Sequence, residues 1–217
     1  MRKFLILMSC TFLLLSGCGS TIQDTYFDLW EKVGVEKRDI LVDRVEDAQE
    51  TQQEAQEQFS SALEEFSALI NFEGGELESV YNNLNDQYEA SQSTAQDVSK
   101  RIDKVESVAD SLFREWEEEL EQISNQTLRR DSQKKLSATK RNYASLVRSM
   151  RKVEGSMEPV LRSLKDNVLY LKHNLNANAI GALKGELSTI QRDVKSLIAE
   201  MSAAIKESDA FIDTLKN

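Results

Sequence analysis

Apolar residues recur along this chain in alternating steps of three and four, the spacing of one buried face on an α-helix. Four such series are present, over residues 41–69, 77–116, 136–157 and 180–215. Each extends over three or more heptads, which is typical of coiled coils and long helical bundles, and no segment shows the alternation of a strand. We therefore predict an all-α protein with four long helices, over residues 36–73, 76–124, 127–173 and 178–216.

Three breaks separate these series. Gly74-Gly75 ends the first helix, since Gly74 suits the left-handed conformation just past a helix end. Residues 124–127 offer capping side chains for the third helix, and Asn176 or Asn178 is the expected N-cap of the fourth. Because short connections join antiparallel neighbours, we predict an elongated antiparallel helical bundle with coiled-coil character, about 55–75 Å long.

The single proline, Pro159, lies within the third predicted helix. Its ring conflicts with the carbonyl group of residue 155, where a glycine gives the backbone room to bend. We expect a kink rather than a full break, either as a local accommodation or as a hinge.

The N-terminal residues carry the features of a lipoprotein signal. Arg2 and Lys3 precede an apolar run over residues 4–15, which is too short for a permanent transmembrane helix. The stretch Leu15-Ser16-Gly17-Cys18 matches the lipobox of bacterial lipoproteins, in which the cysteine becomes the acylated first residue of the mature chain. We predict lipid attachment at Cys18. A plain signal peptide with an incidental cysteine, or an uncleaved anchor, is the alternative.

Cleavage before Cys18 would divide the chain into three parts and change the charge and cysteine count of the mature protein. Residues 1–17 form the signal peptide, 18–35 the lipidated tether and 36–217 the helical bundle. Removal of the two basic signal residues lowers the formal net charge from −10 to −12. With Cys10 lost and Cys18 acylated, no thiol remains for a disulfide, a metal site or catalysis. The acidic balance argues against nucleic acid and anionic headgroups, so membrane contact is expected through the acyl chains.

Charged residues cluster on both sides of the second break. Five glutamates lie between residues 115 and 121, and six basic residues lie between 129 and 141. In an antiparallel hairpin the two clusters are neighbours, so we expect ion pairs beside the seam, each worth below about 1 kcal/mol when exposed. A basic docking strip between Arg129 and Lys152 is the functional alternative.

Residues with catalytic chemistry are scarce. His173 is the single histidine and lies at a helix C-terminus, where its interaction with the helix dipole explains it. The Glu-x-x-His pairs of di-iron bundles, the Gly-x-Ser-x-Gly elbow and Gly-rich phosphate loops are all absent. We therefore predict no catalytic residue, no cofactor and no metal site, and a protein that is not an enzyme.

Two groups of aromatic residues need an explanation. Tyr26, Phe27 and Trp30 lie close to the predicted lipid, where they either rest at the membrane interface or pack against the end of the bundle. Phe113 and Trp116 are expected to be core residues.

Several blocks of the chain resemble a bacterial family, the domain of unknown function 2959. They cover nearly the whole mature chain and are Glu36–Val45, Phe72–Gly75 with Leu77, Phe113–Trp116 with Glu119 and Leu120, Met157–Leu161, and Leu171–Ala177. The resemblance implies a Gram-negative envelope protein and brings no established activity. Because the blocks include turns, the ends of the bundle are the expected working surfaces. Gly19 follows Cys18 where an aspartate would favour inner-membrane retention, which favours the outer membrane, facing the periplasm.

The sequence thus predicts a non-enzymatic, lipid-anchored envelope lipoprotein that contacts a protein partner or spaces the membrane from other layers. Self-association through open heptad seams is a further possibility for the helices. The alternative is a periplasmic carrier that holds a lipid or small ligand between helices. Small seam residues would leave room for that ligand: Ala48, Ala55, Ala62, Ser91 and Ala95.

Overall fold

The structure is a computed structural model that describes residues 36–70, 77–175 and 177–216. These residues form four helices, which are α1 (Lys37–Ile70), α2 (Leu77–Gln122), α3 (Gln126–His173) and α4 (Ala177–Lys216). The predicted all-α fold is confirmed, and the predicted bounds are correct to within a few residues. At a rise of about 1.5 Å per residue the helices are roughly 50–70 Å long.

The helices form a ring in which each packs mainly on two neighbours. α1 contacts α2 and α4, and α3 contacts the same two helices from the opposite side. Polar contacts fix the antiparallel register. Asp47 pairs with Arg101 at 2.8 Å between α1 and α2, and Ser99 donates to Glu154 at 2.5 Å between α2 and α3. The architecture is an up-down-up-down bundle with short connections.

A continuous apolar core fills the centre of this ring. The predicted seam residues of α1 are buried, and Val45, Phe59 and Phe66 have no exposed surface. The seams of the other helices agree, with some of their residues only half-buried against the core. These are Leu77, Tyr81, Tyr88, Ala95, Leu112, Trp116, Tyr143 and Leu187. Heptad spacing therefore identified the buried faces correctly, because side chains three and four residues apart share one side of a helix.

The turn between α2 and α3 is built as the sequence suggested. Asn125 is the N-cap of α3, and its Oδ1 accepts hydrogen bonds from the backbone N–H groups of Thr127, at 2.9 Å, and Leu128, at 3.3 Å. These bonds satisfy two donors that lack a partner within the helix. α2 ends at Gln122, slightly before the predicted residue 124.

The predictions for the N-cap of α4 and for the continuity of α3 have different outcomes. Asn178 lies inside α4, so it is not the N-cap, while Asn176 and Gly74 lie outside the described residues. α3 continues without interruption across Pro159, as expected for a helix that does not break. Gly155 has open space around its Cβ position, so the outer face of α3 is uncrowded where the proline ring must be accommodated. A kink at this point stays a prediction.

Candidate interaction surfaces

The predicted lipid-attachment residue lies outside the described part of the chain. Cys18 and the aromatic residues Tyr26, Phe27 and Trp30 all precede residue 36, where the description begins. Lipid attachment at Cys18 therefore stays a prediction. The structure describes the end of the bundle at which α1 begins. We call this the near end, and it consists of the start of α1, the end of α4 and the α2–α3 turn.

At the near end the α2–α3 hairpin extends beyond the start of α1. Lys37 Nζ lies 3.2 Å from Glu115 Oε1, which sets the level at which α1 begins. α2 continues for seven further residues, 116–122, which is a projection of about 10 Å. Trp116 Nε1 donates to Ser132 Oγ at 2.8 Å and so ties the two helices together within this projection.

The charged clusters of this hairpin are connected in two different ways. Lys140 Nζ pairs with Glu117 at 2.5 Å, which is a cross-hairpin ion pair of the predicted kind. Arg129 instead donates from Nε to the carbonyl oxygen of Leu120 and from Nη2 to that of Glu121, both at 2.7 Å. These carbonyls belong to the last turn of α2, so Arg129 acts as a C-cap supplied by the next helix.

The basic strip predicted between Arg129 and Lys152 is largely occupied by contacts within the protein. Arg151 binds three carboxylates: its Nη2 lies 2.6 Å from Asp103 and 2.5 Å from Glu106, and its Nη1 lies 2.8 Å from Glu154. Hydrogen bonding to Glu106 raises the pKa of Arg151 further above its ordinary value, against the effect of burial. A guanidinium in such a network joins α2 to α3 and is a poor docking group.

Two other titratable groups have shifted pKa values. Burial tends to raise the pKa of Glu200, but a hydrogen bond from Ser156 and the nearby ammonium group of Lys152 outweigh this and lower it. Burial raises the pKa of the Tyr143 phenol, and the charges of Asp110 and Glu106 act in the same direction. The ring of Tyr143 packs edge-on against Phe113, with centroids 5.2 Å apart, so both sites are explained by packing between helices.

The described residues offer no assembled metal or transmembrane site. Within residues 36–70, 77–175 and 177–216, no group of three or more His, Cys, Asp or Glu is arranged to hold a metal ion. None of the four helices has an apolar stretch that would carry it across a bilayer. His173 is exposed in the last turn of α3, at the helix C-terminus where the sequence placed it.

Exposed apolar side chains gather at the far end of the bundle, which we define as the end of α1, the start of α2, the end of α3 and the start of α4. Leu169, Tyr170 and Leu175 are 46%, 41% and 44% exposed. They lie within seven residues of one another in the last turns of α3 and just after it. We call these three residues the far-end patch. Leu128, 60% exposed, is the corresponding side chain at the near end.

Sequence reasoning missed a strongly acidic surface on α1 and α2. Between Arg44 and Lys100 the chain contains no lysine, arginine or histidine. Because α1 and α2 pack against each other, the acidic side chains of this run are brought into one part of the bundle. The signal was present in the sequence as a run free of basic residues, but only the pairing of α1 with α2 makes it a surface.

The interior and the grooves bear on the carrier alternative. Of the small seam residues, Ala48, Ala55, Ala62 and Ser91 are buried and Ala95 is half-buried, which indicates close helix packing. A shallow, open groove of about 390 Å³ lies between the start of α1 and the end of α4, away from this seam. Its lining is mostly charged and consists of Arg38, Asp39, Val42, Asp43, Glu46, Leu215 and Lys216.

Comparison with known protein families decides the classification. The model of one family, described as "Protein of unknown function (DUF2959)", matches residues 26–215. The chain belongs to the DUF2959 family. No curated protein and no solved structure matches the chain.

The DUF2959 match covers the described bundle up to residue 215 and begins downstream of Cys18. Of the blocks that carried the resemblance, Phe113–Trp116 lies at the near end, beside the projecting hairpin. The block Leu171–Ala177 lies at the far end and includes Leu175 of the far-end patch. The matched residues thus include both ends of the bundle as well as its core.

Proposed function

We propose that this protein is a non-enzymatic, lipid-anchored envelope lipoprotein that carries a protein-binding patch away from its membrane. In this proposal Cys18 holds the near end at the outer membrane, facing the periplasm. The bundle acts as a spacer, and the far-end patch contacts a protein partner. The observation that carries the proposal is the separation of the two ends: α1 alone extends about 50 Å between them.

The composition of the far-end patch supports contact with a protein. Leu169, Tyr170 and Leu175 are large apolar side chains that remain exposed, whereas nearly all other large apolar residues of the described helices are buried or half-buried. Lys172 and His173 are exposed between Tyr170 and Leu175 in the sequence and add polar groups to this end. An apolar centre with a polar rim is the usual construction of a protein–protein interface, in which aromatic residues contribute much of the affinity.

The stiffness of the bundle also supports a spacer. α3 runs unbroken for 48 residues, and hydrogen bonds and ion pairs join it to α2 and α4 along its length. A lipid-anchored chain with this shape holds its far end at a defined distance from the membrane. A flexible tether of the same length would not, because its end-to-end distance fluctuates.

The anchor is tested by substituting the lipidated residue. Cys18→Ala is expected to abolish incorporation of labelled palmitate and to move the protein from the outer-membrane fraction to other fractions. Substitution of the signal residue Cys10→Ala is the matched control and leaves both unchanged. Unaltered labelling in the Cys18 variant would remove the lipoprotein part of the proposal.

The patch is tested by photo-crosslinking in intact cells. A photoreactive phenylalanine at position 170 or 175 is expected to give the same discrete adduct, and mass spectrometry then identifies the partner. The same group at position 128, which is exposed at the near end, is the control and should not give that adduct. Identical adducts from all three positions, or none from 170 and 175, would exclude the patch as the contact surface.

The carrier function remains the alternative, and one observation favours it. Gln52 is completely buried in the seam of α1, and neither polar atom of its side chain has a hydrogen-bond partner among the described residues. Native mass spectrometry of the protein purified from membranes would decide. A bound molecule that dissociates on activation supports a carrier, and the mass of the covalently acylated chain alone excludes one.

A further inference from the structure

The side chain of Gln52 is the most unusual polar group in the core. It has no exposed surface, and both its Nε2 and its Oε1 lack a hydrogen-bond partner in the described structure. Five other buried polar residues solve this problem locally, because each donates to the carbonyl oxygen four residues earlier in its own helix. They are Thr51, Ser91, Thr139, Asn167 and Ser208. Gln52 does not.

The glutamines on either side of Gln52 show what a paired amide looks like on this helix. Gln56 donates to Ser202 Oγ at 2.9 Å and to the carbonyl oxygen of Ile198 at 3.2 Å. Gln49 donates to Asp209 Oδ1 at 2.7 Å. All three bonds cross from α1 to α4. Gln52 lies between them along α1, so its level on α4 lies between residues 202 and 209.

The position of Gln52 in the heptad pattern is normally filled by a large apolar residue. The equivalent positions one heptad before and two after are occupied by Val45, Phe59 and Phe66, all fully buried. Its neighbours along the seam, Ala48 and Ala55, are the smallest side chains that a core uses. An amide at this position therefore places two polar atoms deep in the bundle, where an apolar side chain is expected.

An amide in this setting has one strong requirement. It presents a donor and an acceptor side by side, and leaving both unpaired in the core costs free energy that a bound polar molecule recovers. Buried waters usually make two to four hydrogen bonds to such otherwise unsatisfied groups. A carboxamide or hydroxyl group of a small neutral solute offers the same chemistry. A charged guest does not suit the core of a bundle, because burying a charge costs much free energy unless the charge is paired.

We propose that Gln52 marks an internal binding site in the middle of the bundle, at the α1–α4 seam, for a small neutral guest that offers both a hydrogen-bond donor and an acceptor. The guest is either water or the carboxamide or hydroxyl group of a small solute. The site is independent of the lipid anchor and of the far-end patch, so failure of either proposal leaves the other intact.

The test is nuclear magnetic resonance on the purified, isotope-labelled protein, observing the side-chain amide signals of Gln52 and Gln56. With water as the probe, we expect cross-relaxation between the Gln52 amide and a long-lived bound water. With acetamide as the probe, a saturable shift of the Gln52 signal identifies a site that accepts an organic amide. The two results separate the two sources of guest, and either one supports the site.

Matched substitutions of similar volume provide the control. Gln52→Met is expected to abolish both the water contact and the acetamide response at this site. Gln56→Met leaves both in place and lowers the unfolding midpoint, because Gln56 has partners on α4 to lose. The absence of both a water contact and an acetamide shift in the unsubstituted protein overturns the proposal. That result needs no variant to fold.

Discussion

Arg151 provides the sharpest test of how the bundle is held together. Its guanidinium binds Glu106 through two nitrogens, at 2.5 and 3.2 Å, and Asp103 at 2.6 Å, both on the neighbouring helix α2. Arg151→Met keeps much of the apolar stem but removes every one of these bonds. The side chain of Arg151 is 33% exposed and that of Asp103 is 65% exposed, so solvent screens part of the interaction.

The expected loss follows from these geometries. A fully exposed pair contributes about 0.2–1 kcal/mol, and a well-buried hydrogen bond to a charged group about 1.5–3 kcal/mol. The bidentate contact with Glu106 lies between these limits, and the Asp103 contact lies at the lower one. We therefore expect the free energy of unfolding to fall by about 1–2 kcal/mol, which for a bundle of this size lowers the melting temperature by roughly 2–8 °C.

Urea unfolding followed by circular dichroism at 222 nm measures this loss. Arg162→Met is the matched control, since Arg162 pairs only with Glu158 of its own helix among the contacts described, and both side chains are 67% exposed. It should cost below about 0.5 kcal/mol. A double-mutant cycle with Glu106→Gln should give a coupling of about 1 kcal/mol that weakens in high salt. Equal losses for the two arginine variants, or no coupling, would refute the reasoning.

Three further predictions use other parts of the bundle. Gly185→Ala should stabilise α4 by about 0.5–1 kcal/mol, because helix propensity improves and nothing lies near the new methyl group; unchanged thermal unfolding would contradict this. Arg129→Met should cost about 1–2 kcal/mol by uncapping α2, with faster amide exchange confined to its last turn. Glu200→Gln should destabilise the protein at pH 7. Because the folded pKa of Glu200 is lowered, this difference should shrink as the pH falls below its ordinary value of 4.5, and a pH-independent difference would exclude the cause given.

Features encoded locally were predictable from the sequence. Helix existence, the buried stripe through Val45, Phe59 and Phe66, and the Asn125 cap all depend on residues within one or two turns of each other. The Lys140–Glu117 pair was predictable for a related reason, since the two clusters adjoin a short turn. The cap supplied by Arg129 was not predicted, because the same charge pattern fits an ion pair equally well and only atomic geometry selects the carbonyl oxygens.

Contacts between residues far apart in sequence were beyond prediction. Gln49, Gln52 and Gln56 look alike in the sequence, yet two of them reach α4 and the third has no partner among the described residues. The acidic run after Arg44 became a surface only through the packing of α1 on α2. Seam residues of similar type do not specify which helix packs against which. The contacts of these glutamines and the position of the acidic run therefore depend on the packing of all four helices together.

The sequence by itself determined four amphipathic helices and their buried faces, because a period of 3.6 residues places spaced side chains on one side of each helix. It also determined the capped turn at Asn125. It also predicted the lipobox at Cys18. The tertiary structure alone decided the ring order of the helices and the binding of three carboxylates by Arg151. It also decided the burial of Gln52, which has no hydrogen-bond partner within the described helices, and the placement of the far-end patch opposite the start of α1. These features depend on which of four nearly equivalent seams pack against each other to fill one core. The periodicity of a single helix carries no information about its neighbours.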